Sequence, residues 1–419
     1  MGTTETHRAI EAVWKIESAR VIAGLTRIVR DVGIAEELAQ DALLIALEKW
    51  PESGIPDNPG AWLMGTAKHR AIDYLRRGTL VDEKHEILGR EMAEREMQVP
   101  DLAAAMDDTI GDDMLRLVFI ACHPVLSTDA RVALTLRLLG GLTTGEIARA
   151  FLSSEATIAQ RIVRAKRTLS EAQVPFEVPR GEEFKARLSS VLQVIYLIFN
   201  EGYSATAGDD WMRPALCEEA LRQGRILTGL VPEEPEVHGL VALMEIQASR
   251  SKARVNEAGE PVLLMEQDRA KWDRLLIGRG FAALDRAEKL AASPGPYTIQ
   301  AAIAACHARA VTPVGTDWAR IAGLYSELGR IDPSPIVELN RAVAVSMASG
   351  PAAGLELVDA LKEDPSLKNY HLLPAVRGDL MKKLGRMDEA RSEFERAASM
   401  TRNAREKNLL LERARACGE

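Results

Sequence analysis

The four cysteines, Cys122, Cys217, Cys306 and Cys417, are scattered with no CxxC pair. That excludes a disulfide framework and a zinc ribbon and fits a reducing, cytoplasmic setting. Aromatic residues are scarce at 5 % of the chain. Strands favour aromatic and β-branched side chains, so this balance points to helix. Long apolar runs are missing too: Val191–Phe199 is too short for a bilayer span of about 18–20 residues, and Met1–Arg8 is polar, so no membrane attachment is expected. Positive charge is not in excess either. A net charge of −8 excludes coating of nucleic acid by bulk electrostatics, leaving a local basic surface or a partner's help as the route to DNA.

Catalytic signatures are equally absent. No HExxH, GxxxxGK[ST], strand-linked GxGxxG or GxSxG occurs, and His7, His69, His85, His123, His238, His307 and His371 are dispersed. Cys122-His123 and Cys306-His307 sit on helical segments, where adjacent side chains diverge by about 100° and do not share an ion. The sequence therefore implies no enzyme, no metal and no cofactor. One unusual cluster is Tyr196-Leu-Ile-Phe-Asn-Glu-Gly-Tyr203, with Asn200, Glu201 and Tyr203 lining a small pocket or, preferred here, a helix end with Gly202 as its stop.

What is present is helical periodicity in a chain of 419 residues, too long for one core. An all-α protein is expected. Residues 6–78 read as amphipathic helices broken at Asp31–Gly33 and Pro51–Pro59; 79–111 form an acidic linker; 112–174 form a second helical block; and 180–419 are helical to the end. Breakers at Pro232–Pro235, Gly259–Pro261 and Pro294–Pro296 divide the last part into paired helices. Windows of about 34 residues fit Gln300–Pro333, Ser334–Leu367 and His371–Ala404, which is the tetratricopeptide period. Gly378, Gly385, Ala390, Phe394 and Ala397 are small and aromatic positions suited to close helix contact, and Leu339, Ala342 and Leu357 join Phe394 and Ala397 as expected core.

The most informative stretch is Leu142–Arg167. Thr143 caps a helix, with Glu146 completing a capping box; Ile147, Ala148 and Phe151 face inward. After a turn at Leu152-Ser153, Ser154 or Ser153 caps a second helix with Ile158, Ile162, Ala165 and Leu169 on one face. Its other face presents Glu155, Thr157, Gln160, Arg161, Arg164, Lys166 and Arg167. Hydrogen-bonding residues early and cations later suit a helix in the major groove.

The stretch resembles the promoter-reading helix-turn-helix of bacterial extracytoplasmic-function sigma factors, in Leu142, Glu146-Ile147-Ala148, Ser154, Thr157-Ile158, Arg161 and Arg164-Ala165-Lys166. Leu152 stands where that family commonly has Gly. Ala35–Pro51, with apolar Leu38, Ala42, Ile45 and Trp50, is similar to the σ2 helix that docks on core RNA polymerase. Asn58–Arg77 resembles the strand-opening segment, with Trp62, Ala67, Ile72 and Leu75 expected inside. The resemblance implies upstream-element contacts by Ser154, Thr157, Gln160, Arg161, Arg164, Lys166 and Arg167. It implies downstream-element contacts and melting by Asp57, Asn58, Lys68, His69, Arg70, Arg76 and Arg77, and core polymerase binding by Glu37, Gln40, Asp41 and Leu44. The partners so implied are RNA polymerase core enzyme and promoter DNA. A σ2-like module at 6–78, a σ4-like module at 112–174 and a tetratricopeptide-like regulatory domain at 180–419 follow, the last docking on the sigma modules. The alternative is a scaffold whose sigma-like half is degenerate.

Overall fold

The computed structural model describes residues 3–81, 102–151 and 153–418 and, within these, all side chains except those of 3–5, 8, 77–81 and 102–111. Most of the acidic segment, Leu152 and the Arg77 side chain lie outside the described residues. The fold is all-α, with only two strands of two residues each among the described residues, and two compact units divide at Ile195 and Tyr196.

The first unit opens with three helices, α1 (Thr3–Val29), α2 (Val32–Ser53) and α3 (Pro59–Val81). Asp31 ends the connection and caps α2, its carboxylate accepting from Gly33 N at 2.7 Å and Ile34 N at 3.0 Å. Pro51 does not break α2: it lies in the last turn, and the helix stops at Gly54, whose φ of +83° suits a residue without Cβ. Ile22, Leu25, Leu38, Trp50, Leu63 and Ala67 close the core of this bundle.

The buried face of α3 differs from the sequence expectation. Leu63, Met64, Ala67 and Ala71 are inside, while Ile72 and Leu75 are 36 % and 38 % exposed and Trp62 is half-buried, edge-on to Trp50 at 5.2 Å. The stripe 64, 67, 71 satisfies helical spacing as well as the expected one and places smaller side chains against α1 and α2.

Helix α4 (Leu102–Ala121) packs along α1 and leads to α5 (Thr128–Leu138), α6 (Thr144–Ala150) and α7 (Glu155–Glu171). Asp113 on α4 is buried between Arg27 of α1 (3.4 Å) and Arg116 (2.6 Å); burial raises its carboxyl pKa despite the two guanidiniums. The next helix, α8 (Gly181–Tyr203), begins in this unit. Phe184 meets Phe119 edge-on at 5.5 Å, Arg187 donates to Phe119 O at 3.0 Å, and Ser190 donates to Cys122 O at 2.9 Å. The compact division therefore falls within α8, beyond the Pro175 and Pro179 breakers.

In the second unit, α8 ends and is followed by β1 (Ala207–Gly208), α9 (Pro214–Leu230), α10 (Pro235–Ala248), α11 (Arg274–Leu290), α12 (Pro296–Arg309), α13 (Trp318–Ile331), α14 (Pro335–Ser349), α15 (Pro351–Ala360), α16 (Leu372–Lys383), α17 (Met387–Met400), β2 (Arg402–Asn403) and α18 (Ala404–Arg415). Most helices pack chiefly on their sequence neighbours, but α12 packs chiefly on α10, two helices back. The breakers at 232–235 and 294–296 fall between helices as read from sequence, and the windows Ser334–Leu367 and His371–Ala404 each hold one helix pair. Leu339, Ala342, Phe394 and Ala397 are buried, whereas Leu357 is only partly so and Leu355 and Val358 take its place.

Two features close this unit. Gly295 offers α12 no side-chain cap, so Glu236 of α10 reaches over, accepting from Tyr297 N at 2.8 Å and Thr298 Oγ1 at 2.6 Å. At the ends, β1 pairs in parallel with β2, and buried Asn403 donates through Nδ2 to Ala205 O at 3.1 Å and Asp210 O at 2.8 Å. The first loop of the unit is thereby tied to its last helical hairpin.

The helix end expected at Gly202 falls one residue on, at Tyr203. The Gly202 hydrogen faces α9: a Cβ there would lie 2.6 Å from Cys217 N and 2.9 Å from Leu216 Cβ. Gly202→Ala is expected to cost about 1–3 kcal/mol through overpacking against backbone that cannot rotate away. Chemical denaturation of the full chain checks this, and an unchanged midpoint would contradict the close approach.

Candidate nucleic-acid interface

Helix α6 starts with a complete capping box: Thr143 N donates to Glu146 Oε2 at 2.8 Å, and Glu146 N donates to Thr143 Oγ1 at 3.1 Å. Burial opposes ionisation of Glu146, yet the bonds from Thr143 and the Lys15 ammonium at 3.3 Å hold its carboxyl below the usual range. The turn closes with Phe151 N donating to Ile147 O at 3.1 Å and Ser153 N to Ala148 O at 2.9 Å. Ser154 then caps α7, its Oγ accepting from Thr157 N at 3.1 Å. Ile158, Ile162, Ala165 and Leu169 are buried, as their spacing requires.

On the opposite face Ser154, Thr157, Gln160, Arg164 and Arg167 are exposed, and Arg161 and Lys166 are half-buried. Four of these side chains have partners on or beside α7, Arg167 among them through its pair with Glu171 at 3.3 Å. The Ser154 hydroxyl is engaged by its cap and lies 2.7 Å from Thr157 Oγ1, and Arg161 pairs with Asp129 at 3.3 Å. A groove of about 420 Å³ separates the start of α5, with Ser127 and Asp129, from Thr157, Gln160, Arg161 and Arg164 of α7.

Lys166 differs most from the sequence reading. Rather than facing outward, it forms an ion pair with Oε2 of buried Glu36 on α2, a charge contact rather than an aligned hydrogen bond. Glu36 Oε1 accepts from Arg137 Nε at 2.6 Å and from Gln40 Nε2 at 2.6 Å. One carboxylate on the first helical bundle thus holds two cations from the helix-turn-helix side. Glu36 was available to sequence reading as a carboxylate within the apolar stripe Val32, Ala35, Ala39, Ala42; its long-range partners were not.

On α2, Glu37 and Leu44 are exposed, Leu44 at 58 %, and Gln40 and Asp41 are half-buried; the spacing puts the four on one face. Asp57 and Asn58 are both exposed, and Asn58 Oδ1 accepts from Ala61 N at 3.0 Å, which makes it the cap of α3. Along α3, His69 and Arg76 are exposed and Lys68 and Arg70 half-buried, with His69 Nδ1 donating to Gly65 O at 2.8 Å.

Residues 16–80 match the family Sigma-70 region 2, and residues 116–169 match Sigma-70, region 4. Over 158 residues the chain is 30 % identical to the ECF RNA polymerase sigma factor SigK of Mycobacterium sp. (strain KMS), covering 37 % of this chain and 77 % of SigK. The chain belongs to the ECF sigma-factor family.

This sigma factor is also 44 % identical over 389 residues to an uncharacterized protein of Rhizobium meliloti, covering 92 % of the chain and 90 % of that protein. It is 26 % identical over 173 residues to the probable ECF sigma factor SigI of Mycobacterium tuberculosis, 41 % of the chain and 58 % of SigI. Residues 187–288 match a family of unknown function, DUF6596, and no solved structure matches the sigma factor. Its two sigma regions run from the middle of α1 through α3 and from the end of α4 into α7. Among the described residues no helix is long and apolar enough to cross a membrane, and no cluster of three or more His, Cys, Asp or Glu could hold a metal ion.

Proposed function

We propose that this sigma factor directs RNA polymerase core enzyme to specific promoters, with α7 reading the upstream element, α3 and the loop before it acting on the downstream element, and α2 docking on the polymerase. The observation that carries this reading is α7 itself. A helix doubly fixed by Ser154 and by the α6 capping box presents Thr157, Gln160 and Arg164 on one exposed face, the side-chain types that hydrogen-bond base edges and phosphates. Arg161 and Arg167 flank it. The stripe Glu37, Gln40, Asp41 and Leu44 supplies an acidic and apolar face for the polymerase. Lys68, His69, Arg70, Arg76 and Arg77 supply charge for the opened strands. Promoter-specific runoff transcription with purified core enzyme tests the reading.

Asp57 separates two roles that overlap in Asn58. Removing Asn58 also removes a helix cap, worth about 0.5–2 kcal/mol, whereas Asp57 makes no cap. Asp57→Ala is expected to leave polymerase binding intact and to reduce permanganate reactivity of unpaired thymines at the start site, because a flipped base loses a hydrogen-bonding partner that offsets unstacking. Unchanged reactivity would remove Asp57 from strand opening.

The second unit, read as tetratricopeptide-like, regulates the first. A covalent tether sets an effective concentration of about the millimolar range, so a weak docking contact is populated. Because Phe184, Arg187 and Ser190 pack on α4 and its C-terminal turn, a chain ending at Pro179 exposes the Phe119 surface, while one ending at Ile195 keeps it covered. The shorter chain is expected to aggregate or lose stability, and the longer one to fold and to transcribe at a rate different from the full-length protein. Equal rates for residues 1–195 and the full chain would reject internal regulation.

A further inference from the structure

The second unit contains a stack of cations and rings that neither sigma region accounts for. The guanidinium carbon of Arg254 lies 3.6 Å from the Tyr203 ring centre and 5.6 Å from that of Trp211. Arg250 lies 5.7 Å from the same Tyr203 ring and 5.8 Å from Trp272, and Arg269 is 5.0 Å from Trp272. The order is Trp211, Arg254, Tyr203, Arg250, Trp272, Arg269, with rings and cations alternating. Rings cover the faces of the guanidiniums and leave their hydrogen-bonding edges for something else.

Those edges are not equally used. Arg269 spends its edge on the end of α12, donating to His307 O at 2.8 Å, Ala310 O at 2.6 Å and Thr316 Oγ1 at 3.1 Å, so it is a helix cap. Arg254 donates through Nη2 to Tyr203 O at 2.9 Å and through Nε to Met212 Sδ at 3.3 Å, a weak acceptor, and Nη1 makes no hydrogen bond among the described residues. Arg250 donates through Nη2 to Gln247 Oε1, while its Nε is buried with no partner. Arg250 and Arg269 are 7 % and 6 % exposed, and none of the three pairs with a carboxylate among the described residues. Burying like charges without an anion is costly, and the environment registers it. Burial and the Arg250 charge lower the pKa of Arg254, and His307, beside Arg250 and Arg269, is lowered to about 4, chiefly by burial.

Solvent reaches one end of the stack. Trp211 and Arg254 are half-buried, whereas Trp272 and Arg250 are buried, so the open edge is that of Arg254. The Trp211 loop is the one that Asn403 and the β1–β2 pair anchor to the end of the unit, which holds the ring over Arg254 in place.

We propose that the second unit binds a small oxyanion, a carboxylate or a phosphate, at the solvent-facing edge of Arg254, whose guanidinium is held between Trp211 and Tyr203. An oxyanion accepts from Arg254 Nη1 and supplies the negative charge that the stack, including buried Arg250 behind Tyr203, lacks; planar guanidinium forks are matched to such groups. The site would make the C-terminal unit a receptor for an anionic metabolite or an anionic side chain. It does not rest on the promoter-reading assignment and stands or falls separately from it.

Calorimetric titration of the full chain with sodium phosphate and, separately, sodium succinate, at ionic strength held constant with sodium chloride, tests the site. One of the two is expected to bind saturably, with phosphate or carboxylate identified by which one does. Arg254→Met should weaken that binding at least tenfold, while Arg286→Met, on a surface pair with Glu233, should leave it unchanged. If Arg254→Met does not fold, Arg254→Lys, which keeps the charge and loses the fork, should still weaken binding tenfold. No saturable heat from either anion in the folded wild-type chain, or wild-type affinity in a folded Arg254 variant, would overturn the proposal and leave the stack as packing alone.

Discussion

Glu36→Ala is expected to lower the stability of the first unit by about 2–3 kcal/mol and to make DNA binding more dependent on salt. The carboxylate holds Arg137 and Lys166, and removing one member of a buried ionic cluster strands the others. The cost falls below the 3–5 kcal/mol or so typical of fully buried pairs, because the two cations keep 22 % and 20 % of their side chains exposed. A drop in urea midpoint at constant slope would record it. With Glu36 gone, Lys166 is free to approach a phosphate. One added phosphate contact steepens the dependence of log K on log salt by about 0.9. Identical slopes for Glu36→Ala and wild type would show that Lys166 is equally available in both, and that the pair is released on DNA in the native protein.

The second large effect belongs to Arg164. Its side chain is exposed and no ion pair is formed by it among the described residues, so Arg164→Ala removes the proposed DNA contact and little else. A loss of about 1–3 kcal/mol in promoter affinity is expected. Arg161→Ala should cost less, because Arg161 must first leave Asp129, although that pair is exposed on the acid side at 72 % and worth at most about 1 kcal/mol. Fluorescence anisotropy on promoter and scrambled duplexes ranks the two. Equal affinity of Arg164→Ala and wild type for the promoter would take the exposed face of α7 out of recognition.

The parts of this protein legible in its sequence are those governed by local rules. Thr143 and Glu146 announce the capping box because both partners lie within one turn, and Ile158, Ile162, Ala165 and Leu169 give the inner face of α7 by spacing alone. Breakers at Pro232–Pro235 and Pro294–Pro296 place helix ends for the same reason. Where two stripes were equally periodic, the sequence did not decide: on α3, Met64 and Ala71 rather than Ile72 and Leu75 face inward, a choice made by the shapes of α1 and α2.

Long-range pairings were invisible. Lys166 looked like one more outward cation because Glu36 lies far away in the chain, and the close approach at Gly202 was hidden because its neighbour, Cys217, is on another helix. The β1–β2 pair joins residues at opposite ends of the second unit with only two residues on each side, too short for any periodic signal. The arginine–aromatic stack was hidden likewise: Tyr203, Trp211, Arg250, Arg254, Arg269 and Trp272 come from separate turns and loops, and only Tyr203 stood out in the sequence.

Promoter-specific initiation by core RNA polymerase, directed through α7, is the role proposed for this ECF sigma factor. The measurement that tests it most directly is sequencing of transcript 5′ ends made by purified core enzyme on genomic DNA, with the wild-type protein and with Arg164→Ala. Discrete start sites are expected that appear only with the wild-type protein, share an upstream element and fade with Arg164→Ala. Start sites no different from those of core enzyme alone, with a folded protein present, would contradict that role.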